Sequence, residues 1–226
     1  MASAPSSPPT TAVEDYLKAV FALESRLGGA VPTTALAERL GITPGSVSAM
    51  LRRLADLDLL EHEPYRGVRL TDGGRRVALR TIRNHRLLEL FLVEILDVPW
   101  DRVHDEAERL EHAVSDDLVE RIAAKLGHPA FDPHGDPIPD HRLEIAEQAS
   151  TSLIDVDVAG EVRFVRVSDA DPAMLRYLAA RGIVPGVTLT VVDRQPFGGP
   201  LTVRVDGDEH ALGPQLADAM RVSRCG

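Results

Sequence analysis

In the stretch VHDEAERLEHAVSD, residues 103–116, imidazole and carboxylate side chains recur at helical intervals. On a helix, His104, Glu108, Glu111 and His112 stand at i, i+4, i+7 and i+8 and cluster on one face within two turns. Upstream, His85 and Glu89 repeat the i, i+4 interval, and Asp15 lies in an early amphipathic segment. Carboxylates and imidazoles massed on facing helices repel or desolvate one another unless positive charge lies between them. A divalent cation held by oxygen and nitrogen donors resolves that conflict. Spacing alone leaves the choice open, because an acidic helix is more often a solvated face; His104 can also pair with Asp101, and Glu89 with Arg86.

The elements that must position these groups follow from the charge distribution and the hydrophobic periodicity. The 226 residues suit one large domain or two to three small ones. A formal net charge of -10 argues at first against a nucleic-acid partner, but the charge is segregated. Residues 31–83 hold nine Arg and six Asp or Glu, whereas residues 84–148 hold sixteen carboxylates against five Arg and one Lys, with six of the eight histidines. A mildly basic segment followed by an acidic, histidine-rich one suggests two tasks in one chain. The only cysteine, Cys225, can form no internal disulfide and assemble no thiolate site, which favours a cytoplasmic protein with hard or borderline metal ligands. The apolar run LLELFLVEIL is interrupted by Glu89 and Glu94 and falls short of the roughly 20 residues that span a bilayer, so no membrane partner is expected. The start, MASAPSSPPTTA, has no basic or apolar signal region and reads as a disordered tail over residues 1–10.

From Thr11, VEDYLKAVFALESRL has helical periodicity up to Gly28-Gly29. Thr33 or Thr34 can cap ALAERLG, and Thr43-Pro44 opens a further helix, SVSAMLRRLADLDLL. The pair has helix-turn-helix proportions, with small Ala37 at the crossing, Gly41 in a left-handed turn, and Val47 and Met50 as apolar anchors. LLEHEPYRGVRLTDGGR then reads as strand, a turn at Pro64 to Gly67, returning strand, Gly-Gly turn and basic helix, which completes a winged helix-turn-helix. On that reading Thr43, Ser46 and Ser48 face the major groove of double-stranded DNA, and Arg52, Arg53, Arg66 and Arg69 meet phosphate, although Arg66 and Arg69 can instead merely solvate the wing.

A long amphipathic helix is expected from Arg80 to the break at Asp97–Trp100, and another from the opening stretch to about Leu126. Their apolar rows, Leu87, Leu88, Phe91, Leu92 and Ile95 with Val114, Leu118 and Ile122, exceed what one small domain covers and suggest a homodimer. Residues 128–150 turn Pro-rich and then polar, as a linker does. Beyond residue 157, EVRFVRVS, VTLTVVDRQ and LTVRVDGDEHAL alternate around a short helix, PAMLRYLAARG, and predict a small β-barrel. The fold class is therefore mainly α with a small β domain: tail 1–10, winged helix-turn-helix 11–79, metal-binding and dimerisation region 80–140, linker 141–156, β domain 157–226. No phosphate-binding Gly loop and no supported Ser/His/Asp set occurs, so no enzyme is expected.

HDEAERLEH, together with RNHRLLE, DPHGDPIP and EDYLKAV, resembles the diphtheria-toxin-repressor family of metal-dependent transcriptional repressors, in the same order and over nearly the whole chain. The resemblance implies an SH3-like C-terminal domain and two metal sites. The primary, regulatory site draws on Asp15, Glu108, Glu111 and His112. The ancillary site draws on His85, Glu89 and His104, with Asp169 or Asp171 from SDADP as a further ligand. Iron sensors of the family carry Met in place of Asp15 and Cys in place of Glu108; oxygen donors at both positions suit Mn²⁺. Manganese sensors with two domains have Glu where this chain has Lys18, so the ancillary arrangement of the three-domain branch is expected instead of their paired-metal site. The function implied is manganese-dependent repression from operator DNA, with Fe²⁺, Co²⁺ or Zn²⁺ able to bind in vitro. The alternatives are an iron-dependent repressor of the same fold, a di-metal carboxylate storage or oxidase protein, and a winged-helix regulator with a small organic ligand.

Overall fold

The computed structural model describes residues 10–63, 65–146 and 148–225. Apart from Thr10, the tail expected at 1–10 lies outside the described residues, as does Pro64 of the expected wing turn. The chain divides into two compact units, one running through Asn84 with His141–Leu143, the other holding His85–Asp140 and the chain from Glu144 onward.

The first unit contains α1 (Thr11–Leu27), α2 (Thr33–Leu40), α3 (Pro44–Asp56), β1 (Leu60–Glu63), β2 (Gly67–Leu70) and the start of α4 (Asp72–Leu96). Leu17, Val20 and Leu23 of α1 pack with Leu36 of α2 and Val47, Leu51 and Leu54 of α3 in one buried core. Ala37 is buried between the helices, and Gly41 takes φ 66°, the left-handed conformation that a side chain resists. Thr43 accepts the Ser46 N–H and Pro44 follows as the first helical residue, so this helix start matches expectation. α2 departs from it: the helix begins at Thr33 itself, after Pro32, and neither threonine is its cap.

β1 and β2 pair antiparallel, with Leu60 opposite Leu70 and Glu61 opposite Arg69. Leu60, Val68 and Leu70 face the core. Buried Glu24 accepts the Leu70 N–H at 2.8 Å and Arg75 Nη2 at 3.1 Å, tying the base of the wing to α1. The expected Gly-Gly turn and separate helix from Arg80 are instead a single 25-residue helix, α4. Thr71 Oγ1 accepts the Gly74 N–H at its start, and a Cβ at Gly74 would collide with the Leu59 carbonyl. The glycine serves close approach of the helix to the strand lead-in, not a turn.

The second unit contains α4 from His85 onward, α5 (Val103–Leu110) and α6 (Asp116–Lys125), around Leu87, Leu88, Ala107, Val119, Ile122 and Ile138. The single helix expected through Leu126 is thus two. Ser115 is extended, at φ -79° and ψ 153°, and its hydroxyl accepts the Leu118 N–H, so a cap interrupts the periodicity. Nor does the Pro-rich stretch run free. Asp132 Oδ1 accepts the N–H groups of His134 and Asp136, Phe131 bridges to Pro137, and Arg86 donates to the Pro137 carbonyl. Val167 N–H donates to the His134 carbonyl at 3.0 Å.

The rest of the unit is one antiparallel sheet of β3 (Thr151–Ser152), β4 (Glu161–Arg166), β5 (Thr188–Arg194), β6 (Leu201–Val205), β7 (Asp208–Leu212) and β8 (Arg221–Arg224), in the order β3-β8-β4-β5-β6-β7, with α7 (Pro172–Ala179) and α8 (Pro214–Ala219). Val162, Phe164, Leu189, Val191, Leu201, Val203 and Val205 alternate into its core. The expected barrel is not closed: among the described residues no ladder joins β3 to β7. Trp100 packs against the sheet core and Asp101 pairs with Arg176 of α7 at 3.1 Å, so the sheet is fastened beside the start of α5. Among the described residues, no helix is long and apolar enough to cross a membrane.

Candidate metal centre and nucleic-acid interface

The second unit gathers most of the predicted ligands in one place. α4 presents His85 and, one turn on, Glu89, which is 1 % exposed. His85 Nε2 lies 3.0 Å from Glu89 Oε1 and 3.2 Å from His104 Nδ1, and its Nδ1 lies 2.5 Å from Glu111 Oε2. His104, on the first turn of α5, approaches Glu89 Oε1 at 3.3 Å and Asp169 Oδ2 at 2.9 Å. Glu108 is farther, 3.8 Å from either imidazole. His112 Nε2 lies 3.2 Å from Glu111 Oε1. Two donor groups therefore converge here with all ligand atoms within 4.8 Å: His85, Glu89, His104 and Asp169, and His85, Glu108 and Glu111. Asp171 has another use, since its Oδ1 accepts the Ala173 and Met174 N–H groups and caps α7. Asp15 stands on α1 in the first unit.

Two further residues join the cluster that the sequence reading passed over. Glu89, Asp132 and His134 form a third, wholly buried group. His134 Nε2 lies 2.8 Å from the Trp100 carbonyl, which can only accept, so that nitrogen carries the proton. Its Nδ1 is buried without a hydrogen-bond partner, 3.8 Å from Glu89 Oε2. Glu89 thus turns one oxygen toward His85 and His104 and the other toward His134. Both lie in DPHGDPIP, whose prolines read as linker although the stretch falls within the expected metal-binding region 80–140.

Without a cation, protons supply the positive charge. Burial alone would raise the Glu89 carboxyl, but hydrogen bonds from His104 and His85 and the nearby His134 imidazole outweigh it and hold the group far below the usual carboxylate range. Hydrogen bonds to Asp169 and then Glu89 push His104 up to about 10. Burial would lower His134, yet the Glu89 and Asp132 charges raise it to about 9. Burial, and then repulsion from Asp136 and Glu89, lifts Asp132 to about 7. Buried carboxylates interleaved with imidazoles, one of them holding an unsatisfied ring nitrogen, and no sulfur donor make a set that fits a divalent cation of hard to borderline character.

On the first unit, Ser46 is exposed and Ser48 half-buried on α3, with Arg52 and Arg53 exposed two turns on. The hydroxyls are partly committed: Ser48 Oγ donates to the Pro44 carbonyl at 2.9 Å, and those of Thr43 and Ser46 lie 3.0 Å apart. In the wing, Arg66 is largely exposed, whereas Arg69 Nε donates to Glu63 Oε1 at 2.8 Å.

Comparison with known proteins agrees along the chain. Residues 10–68 match the family model described as iron dependent repressor, N-terminal DNA binding domain. Residues 71–140 match iron dependent repressor, metal binding and dimerisation domain, and residues 151–224 match the FeoA domain. The iron-dependent repressor IdeR of Mycobacterium tuberculosis is 31% identical over 93% of this chain and 96% of its own. The diphtheria toxin repressor of Corynebacterium efficiens is also 31% identical, over 93% of this chain and 94% of its own. Among solved structures, a manganese-dependent transcriptional repressor in complex with manganese superposes with TM-score 0.84 at 44% identity, covering 94% of this chain and all of that one. ScaR with bound Cd²⁺ gives 0.77 at 31% identity, over 96% of this chain and 100% of its own. The chain belongs to the diphtheria-toxin-repressor family of metal-dependent, dimer-forming transcriptional repressors, and is a DNA-binding regulator, not an enzyme.

Proposed function

We propose that this chain is a manganese-dependent repressor that binds operator DNA as a metal-activated homodimer in the cytoplasm and controls manganese homeostasis. The observation that carries the reading is the donor set: every candidate ligand is a carboxylate or an imidazole, and the family resemblance implies that Glu108 stands where the iron-sensing branch has cysteine. Asp15, Glu108, Glu111 and His112 would hold the regulatory ion, Asp15 entering on the family resemblance alone. His85, Glu89, His104 and Asp169, with His134 and Asp132 beside them, would hold the ancillary one. The bound ion supplies fixed positive charge among carboxylates that otherwise depend on protonated imidazoles. Differential affinity of the ion for the DNA-competent state then sets how far the population shifts toward it. Ile95, Leu96, Leu110 and Leu118, exposed on α4, α5 and α6, offer the apolar surface a second copy would cover.

The relatives named iron-dependent support a second reading, with Fe²⁺ as the activating ion. One titration decides between them. Fluorescence anisotropy of a duplex selected from a randomised pool is followed without metal and with Mn²⁺, Fe²⁺, Co²⁺ or Zn²⁺. Mn²⁺ should activate, and Glu108→Ala should abolish that activation while the dimer persists in sedimentation. DNA affinity independent of metal would sink the proposal.

A further inference from the structure

The wing is electrically self-compensated. Between Leu60 and Leu70 it carries Glu61, Glu63, Arg66 and Arg69, two charges of each sign. Arg69 and Glu61 are directly opposed across the ladder, and both point away from Leu60, Val68 and Leu70. Arg69 Nε donates to Glu63 Oε1 at 2.8 Å, and Arg66 Nη1 lies 3.9 Å from Glu63 Oε2. That second oxygen is buried and has no hydrogen-bond partner. If Arg69 swung away toward a phosphate, it would leave a half-buried carboxylate with only the more distant Arg66 guanidinium beside it, and that carboxylate would face the same phosphate with like charge.

We infer that Glu63 acts as an internal substitute for phosphate: it holds Arg69 out of contact with DNA, so that Arg69 adds no counterion-releasing contact and the grip rests on the other cations of this unit, Arg52 and Arg53 of α3 and exposed Arg66 of the wing. The inference rests on the DNA-binding role of this unit and concerns which of its cations are spent on DNA. Such a wing lowers affinity for arbitrary sequence without touching base readout, because phosphate contacts carry the non-specific part of binding.

The test uses the full-length metal-loaded protein and a labelled 30-base-pair duplex of arbitrary sequence, with the association constant followed against salt. Arg69→Ala should bind within twofold of wild type at every salt concentration. Glu63→Gln should steepen the log–log salt slope by about 0.9 for each wing that gains a phosphate contact, which is roughly an eightfold gain per wing at 0.1 M salt. In the Arg69→Ala background, Glu63→Gln should gain nothing. Weakening by Arg69→Ala alone would show that Arg69 already grips phosphate, and an equal gain from Glu63→Gln in both backgrounds would show only a loss of general repulsion. Either result overturns the inference alone, whereas a wild-type protein that binds no duplex overturns the DNA-binding reading with it. Thermal melting of each variant separates these effects from loss of fold.

Discussion

Proton release on metal binding tests the electrostatic account of the ancillary cluster most directly. In the metal-free protein Asp169, Glu89 and Asp132 stabilise the charged imidazoles, pushing His104 up to about 10 and His134 up to about 9. At pH 8 the two together therefore carry roughly 1.9 protons, whereas two ordinary imidazoles near 6.5 would carry roughly 0.06. A cation must take the ring lone pairs, so its binding expels those protons and its affinity rises with pH. If both histidines become ligands, affinity should increase nearly a hundredfold from pH 7 to pH 8, against a change of less than twofold for unshifted imidazoles. Calorimetric titration of Mn²⁺ into the apoprotein in two buffers of different ionisation enthalpy gives the number released. Asp169→Asn removes the largest influence raising His104 and should reduce it. The stability of the apoprotein should move the opposite way: charged pairs of raised imidazoles contribute fully below about pH 6.5 and are lost as pH climbs through 9 to 10. Release of fewer than about 0.5 protons at pH 8 would refute the claim that protonated imidazoles occupy the cation's place.

Two other substitutions separate donor chemistry from fold. Glu108→Cys replaces an oxygen donor with sulfur and should raise the Mn²⁺ concentration needed for half-maximal DNA binding by tenfold or more, while lowering that for Zn²⁺; an unchanged order of metals would exclude Glu108 from the regulatory site. Gly74→Ala places a methyl group against the Leu59 carbonyl and should cost about 1–3 kcal/mol in urea unfolding of the metal-free protein, the range for overpacking. An unchanged midpoint would mean that the contact relaxes freely.

How much of this was legible follows from where each signal resides. His104, Glu108, Glu111 and His112 are close in sequence, so helical periodicity alone put them on one face; α5 ends at Leu110, but Glu111 keeps helical dihedrals and the alignment survives. The break itself was missed because a serine inside an amphipathic pattern looks the same whether it faces solvent or caps a new helix. Asp132 and His134 escaped for another reason: an Asp-stabilised loop and a hydrogen bond to the distant Trp100 carbonyl place them, and neither leaves a periodic trace. The choice between Asp169 and Asp171 likewise turned on tertiary geometry, since one reaches His104 and the other caps its own helix. In the β domain, β4 and β5 were visible as alternation and β6 and β7 only as one continuous stretch, whereas two-residue β3 and polar β8 were not visible, and the sheet order that leaves the barrel open depends on their pairing.

α5 has a consequence of its own. It is eight residues long, below the length at which a helix sustains itself in water, and buries only Val103 and Ala107. Asp105, Glu106 and Glu108 lie along it, with Glu111 at its C-terminal end, where the last carbonyls add further negative potential. An isolated peptide of this sequence would have little reason to coil. If the ion binds as proposed, part of the work that holds α5 wound is done by the cation, so the affinity a chemist measures for the metal includes a share of the folding of this short segment.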